Sequence, residues 1–194
     1  MLKNNSPQKS ARTAKKFFTA KSIAVTAICI ALNVVCSWIT VPFFSIPFTL
    51  QTFSIFFTLY FLGAKKGTVA IFIYILLGLI GIPVFSGFKS GVPALAGATG
   101  GYIIGFLLSG VSYFIFDGKN KFLRIVGLFV GLLLCYVGGT LWFVFVYGKS
   151  GKEIGFFTAL TLCVFPFVVF DVLKIILSIL LSDVLKKRLH FPAS

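Results

Sequence analysis

Deep in an apolar run near the end of the chain, VVFDVLKIIL, stand two ionisable residues, Asp171 and Lys174. On a helix the i, i+3 spacing puts both on one face, where each can neutralise the other. An ionisable group inside so apolar a stretch is costly and is a functional hypothesis by default. Side by side, the two offer an acceptor and a donor, which matches a ureido, amide or pyrimidine-like group with adjacent N–H and C=O. An ion pair that merely ties two helices together would leave the same trace. Pro166, just upstream, should bend the helix and free a carbonyl near the pair.

Other chemistries find little support. The single histidine, His190, lies in the basic tail, so no serine or cysteine in the body has a base to activate it. Cys29, Cys36, Cys135 and Cys163 sit in apolar runs without metal-ligand spacing and read as small buried hydrophobes. Gly148-Lys149-Ser150 lacks the earlier glycine that a phosphate-binding loop needs. No catalytic residue, metal or cofactor is expected. Lys89 is the sole charge in its loop and can meet a ligand carboxylate or simply be solvated. Phe85, Phe88 and Tyr102 can wall a pocket for a flat apolar body.

The elements that must position these residues are membrane helices. Hydrophobic residues make up 58% of the 194, and charged residues 11%, less than half the usual ~25%. The expected fold is an all-α integral membrane protein with about six spans of ~20 residues. They fall near residues 20–40, 49–63, 67–81, from Thr99 on, 125–147 and 154–185, with Thr49 and Gln51 opening the second. The run from Ile23 to Val41 exceeds the roughly 7–15 apolar residues of a signal peptide and is expected to be retained.

The net charge of +14 does not indicate nucleic acid, because Lys and Arg cluster at the edges of apolar runs. The N-terminal segment, the 65–66 turn, the basic 117–124 turn and the C-terminal tail hold 14 of the 18; Lys89, Lys149 and Lys152 lie on the opposite side. Both termini are therefore expected in the cytoplasm, with the 41–48, 82–98 and 149–153 loops outside. The organisation is a basic cytoplasmic segment at 1–19, interfacial helix possible from Arg12, a transmembrane domain at 20–187, and a cytoplasmic tail at 188–194.

From Gly78 to Gly105 two prolines and many glycines exclude a continuous helix. Irregular backbone at membrane depth is tolerated only against protein or a cavity, so this stretch is a candidate ligand loop as well as a connection. Small residues recur every four positions at Gly97, Gly101, Gly105 and Ser109, and at Gly127, Gly131, Cys135 and Gly139. Such ridges let helices approach closely in lipid. Ala20 and Ala24, and Ala27 and Ala31, carry the same spacing in the first helix, for internal packing or for a partner.

IPFTLQT at 46–52, GLIGIPVFSG at 78–87, ATGGYIIGF at 98–106 and the Asp171-x-x-Lys174 pair resemble the BioY family, the biotin-binding S-components of energy-coupling-factor (ECF) transporters. The resemblance covers nearly the whole chain from the first helix onward. The family usually has proline before the Thr-Gly-Gly run, where this chain has Ala98. The resemblance implies an ECF S-component-like fold in the bacterial cytoplasmic membrane that captures biotin from outside. It implies partners too: a transmembrane coupling subunit (T-component), contacted by Ala20, Ala24, Ala27 and Ala31, and two ABC ATPases that use the ATP. The substrate-binding set it implies is Asp171, Lys174, Lys89, Gln51, Phe85, Ser86, Thr99, Gly100 and Tyr102. Within it, Asp171 would accept from the ureido N–H groups, Lys174 donate to the ureido oxygen, and Lys89 or loop amides receive the valerate. The rivals are an S-component for thiamine or riboflavin, a solitary biotin carrier, and a structural membrane subunit without ligand.

Overall fold

The structure, a computed structural model, describes residues 19–42, 46–149, 151 and 154–189. The N-terminal segment with its interfacial-helix reading, the middle of the 41–48 loop and the tail from His190 lie outside the described residues.

Long apolar runs punctuated by glycine and proline give eight α-helices among the described residues: α1 (Ala20–Trp38), α2 (Gln51–Leu62), α3 (Ala64–Leu79), α4 (Gly91–Ala96), α5 (Gly100–Tyr113), α6 (Lys121–Lys149), α7 (Phe156–Cys163) and α8 (Phe165–Arg188). Helices α1 and α6 are long and apolar enough to cross a membrane; α7 and α8 make a further span if the bent pair is taken together. Exposed Ile28, Phe72, Phe157 and Leu173 give the bundle the apolar exterior that lipid requires.

The fold is mostly rather than wholly helical. Thr40–Val41 (β1) and Phe48–Thr49 (β2) form an antiparallel ribbon, with Thr40 opposite Thr49 and Val41 opposite Phe48. Leu50 N–H donates to Ile39 O at 3.2 Å, so the ribbon grows directly from the end of α1. The central stretch is also more regular than its glycines suggest, since the 3₁₀ turn Ser86–Phe88 and α4 lie within it.

The sixth expected helix is bent, and it is also broken at the bend. Its halves, α7 and α8, meet at 47° across Val164, whose φ of −124° leaves the helical region. Pro166 then sits in the first turn of α8, where its missing N–H costs little.

Close packing of α5 on α6 follows from the small-residue ridges. A β-carbon on Gly101 would stand 2.2 Å from Trp142 Cβ, and one on Gly105 2.9 Å from the Cys135 α-carbon. Ser109 Oγ bridges the helices through Gly131 O at 2.6 Å. Gly97 is not part of this ridge: it follows α4, and its carbonyl accepts from Trp142 Nε1 at 3.0 Å. All four cysteines are buried free thiols.

At the end where α1 begins, Lys21 Nζ reaches Leu189 O at 3.2 Å, and Lys121 pairs with Asp183 at 2.7 Å. Arg124 departs from its reading as part of a basic turn. It is buried on α6, donating to Tyr60 O at 3.1 Å and to Tyr113 Oη at 3.3 Å, while Lys186 also donates to Tyr60 O at 2.8 Å. The C-terminal carbonyls of α2 attract cations, which explains why two converge there. Asp117 Oδ2, in the turn after α5, accepts from Ala64 N–H at 2.8 Å and so caps α3.

Candidate functional site

The opposite end of the bundle, where α1 finishes and α2 starts, holds a cavity of about 80 Å³. By the same measure roughly 10–15 Å³ admits one water, so there is room for a small organic molecule. Its walls are mostly apolar, with Ile46, Ile103, Phe106, Leu132 and Phe167 among them.

Among the described residues, the one ion pair on the wall is the pair picked out in the sequence. The regular turn of α8 sets Asp171 and Lys174 on one face; both are buried, and Lys174 Nζ lies 2.9 Å from Asp171 Oδ1. The ammonium also donates to Thr49 O at 2.7 Å and stands 4.0 Å from the centroid of the Phe48 ring. A lysine has three N–H donors: one meets the acid, one the β2 backbone, and the ring face adds a cation–π contact. From α6, Tyr136 Oη donates to Asp171 Oδ2 at 2.6 Å. Both oxygens of the carboxylate are therefore engaged, by donors on different helices.

Most of the candidate residues converge on this cavity. Gln51 is buried in its wall and donates through Nε2 to Tyr74 Oη at 2.9 Å, which itself donates to Val84 O at 2.9 Å. Phe85 is buried beside it, edge-on to Tyr74 with centroids 5.7 Å apart. Ser86 lines the cavity and shares a hydrogen bond with Thr40 Oγ1 at 3.1 Å. Thr99 and Tyr102 line it as well, and Tyr102 Oη lies 3.2 Å from Thr140 Oγ1. Lys89 lines the cavity yet is exposed, which puts it at the rim.

Others lie elsewhere. Gly100 is not in the lining; it packs on the Leu95 carbonyl, which a β-carbon would approach to 1.6 Å. Phe88, at a φ of 57°, turns outward and stacks on Trp38 with centroids 5.1 Å apart. Ala20, Ala24, Ala27 and Ala31 are all exposed on α1, away from the lining.

Sequence reasoning missed Tyr136, Phe48, Phe167 and the Thr49 carbonyl. Tyr136 had a usable signal. It follows Cys135, which packs on α5, so the next residue is turned about 100° around the helix from that contact; a buried tyrosine hydroxyl also needs a partner. The Thr49 carbonyl carried no signal, because a backbone acceptor is common to every residue.

Comparison with known proteins bears on this geometry. The model of the BioY family matches residues 8–191. A protein of Thermotoga maritima named biotin transporter BioY is 40% identical over 159 residues, covering 81% of this chain and 90% of that one. A probable biotin transporter BioY of Pyrococcus horikoshii is 35% identical over 164 residues, covering 84% of this chain and 95% of that one. Among solved structures, the 2.1 Å crystal structure of the S-component for biotin from an ECF-type ABC transporter matches with a TM-score of 0.73 and 25% identity, over 96% of this chain and 95% of that one.

Proposed function

The chain belongs to the BioY family, and from that premise we propose that it binds biotin and takes it up across the membrane as the substrate-specific S-component of an ECF-type transporter. It is a transport protein and not an enzyme. The observation that carries the biotin reading is the buried Asp171–Lys174 pair on the wall of a mostly apolar cavity. A ureido group presents N–H beside C=O, so Asp171 accepts the one and Lys174 donates to the other, while the ring system rests on the apolar wall. Lys89 at the rim, or amides of the neighbouring segment, receives the valerate carboxylate.

In this reading α1, α2, α3, α5, α6 and the bent α7–α8 pair are the spans. The basic end, with both termini, faces the cytoplasm by the positive-inside rule, and the cavity opens outward. The protein sits in the bacterial cytoplasmic membrane. Its exposed α1 alanines receive the T-component, whose two ABC ATPases use ATP; the chain itself takes no cofactor.

Titration calorimetry of the purified chain in detergent tests the reading. Biotin should bind one to one and saturably, and Asp171→Asn should weaken it by at least ~30-fold, the equivalent of ~2 kcal/mol for stripping a charged acceptor from a buried site. Affinity within a few-fold of wild type would remove Asp171 from the role. A folded wild type that ignores micromolar biotin would overturn the substrate, and thiamine and riboflavin would be titrated next.

A further inference from the structure

The two oxygens of Asp171 are held from different sides, Oδ1 by Lys174 on its own helix and Oδ2 by Tyr136 on α6. Tyr136 is itself buried and lines the cavity. A carboxylate has about four lone-pair directions, so one remains on each oxygen. An isolated Asp–Lys pair at this spacing can rotate into a closed arrangement in which the acid offers both oxygens to the amine. Such a pair satisfies itself and presents little to a ligand. The Tyr136 hydroxyl opposes that rotation, because closing the pair would leave a buried hydroxyl without its partner.

On this geometry we infer that Tyr136 is the positioning residue that holds Asp171 open as an acceptor, and that it thereby sets the preference of the site for a cyclic ligand with N–H beside C=O. The inference rests on the biotin reading above and extends it to a residue outside the ion pair. Lys174 fits the same scheme. Its contacts to Asp171 and the Thr49 carbonyl are hydrogen bonds, whereas its approach to the Phe48 ring is the weakest of the three and the one a ligand carbonyl replaces.

The test compares biotin with its two singly N-methylated ureido derivatives, each lacking one N–H, by calorimetry on the full chain. Wild type should prefer biotin over at least one derivative. Tyr136→Phe should lose about 10-fold in biotin affinity, the size of one hydrogen bond to a charged group, and much less for that derivative, so the preference shrinks. A role in packing alone would weaken all three ligands by the same factor. Tyr136→Leu, also without a donor, stands in if the Phe variant does not fold. A cycle with Asp171→Asn closes the argument: the double variant should bind no more weakly than Asp171→Asn alone. An unchanged preference, or losses that multiply in the double variant, overturns the role of Tyr136 while leaving biotin as the ligand. A wild type that binds none of the three overturns both.

Discussion

Phe85 packs its ring where Gly78 has no side chain: a β-carbon on Gly78 would stand 2.1 Å from Phe85 Cζ. Phe85 in turn forms part of the cavity wall and meets Tyr74 edge-on. Gly78→Ala should therefore push the ring toward the cavity. Overpacking of this kind costs about 1–3 kcal/mol, so both the melting midpoint and biotin affinity should fall. A variant that melts and binds like wild type would show that the ring has room to move.

Glycines on the α5–α6 interface should differ sharply by position. Gly105→Ala places a methyl 2.9 Å from the Cys135 α-carbon, which is backbone and can give way only if the helices part. A loss of about 1–3 kcal/mol is expected. At Gly138 the nearest atom is Leu108 Cδ1 at 3.8 Å, and the helix propensity of alanine should make Gly138→Ala neutral or stabilising by up to ~1 kcal/mol. Thermal unfolding in detergent reads both.

Removing only the amine of the buried pair should be worse than removing both charges. Lys174→Met leaves Asp171 in the wall without its cationic partner and the Thr49 carbonyl without its donor, a situation that costs about 3–5 kcal/mol. Adding Asp171→Asn should return much of the stability and none of the biotin binding. Equal stability of the single and double variants would contradict this account.

Exposed α1 alanines should matter to assembly and not to capture. Ala27→Trp should keep biotin affinity and melting midpoint unchanged and block co-purification with the T-component, since only a small residue permits close helix approach. Undiminished assembly would move the contact off this face.

The sequence reading located six helical runs because each is apolar and ended by glycine, proline or charge, but not the six-residue α4 or the division of the last run into α7 and α8, and it located Asp171 and Lys174 because charge is conspicuous there. It could not anticipate the β1–β2 ribbon, whose strands are two residues each and too short for any periodicity. Arg124 was misplaced for a different reason. At the start of an apolar helix, arginine serves topology and buried hydrogen bonding equally well, and only the Tyr60 carbonyl and Tyr113 hydroxyl facing it decide the matter. Tyr136 was hidden in a helix whose small-residue ridge drew attention to the adjoining face.

The end of α1 is fastened to the cavity on two sides. Ile39 and Thr40 carry the ribbon that brings Phe48 and Thr49 to Lys174. Ser37 donates to Val84 O and Trp38 Nε1 to Pro83 O at 2.8 Å, immediately before Phe85 and Ser86. The helix thus acts as a lever whose short arm is clamped to two walls of the pocket. A tilt applied along its length, far from any bound molecule, cannot leave those walls where they were, and a body docked on the alanine face would hold the handle without needing to reach the pocket.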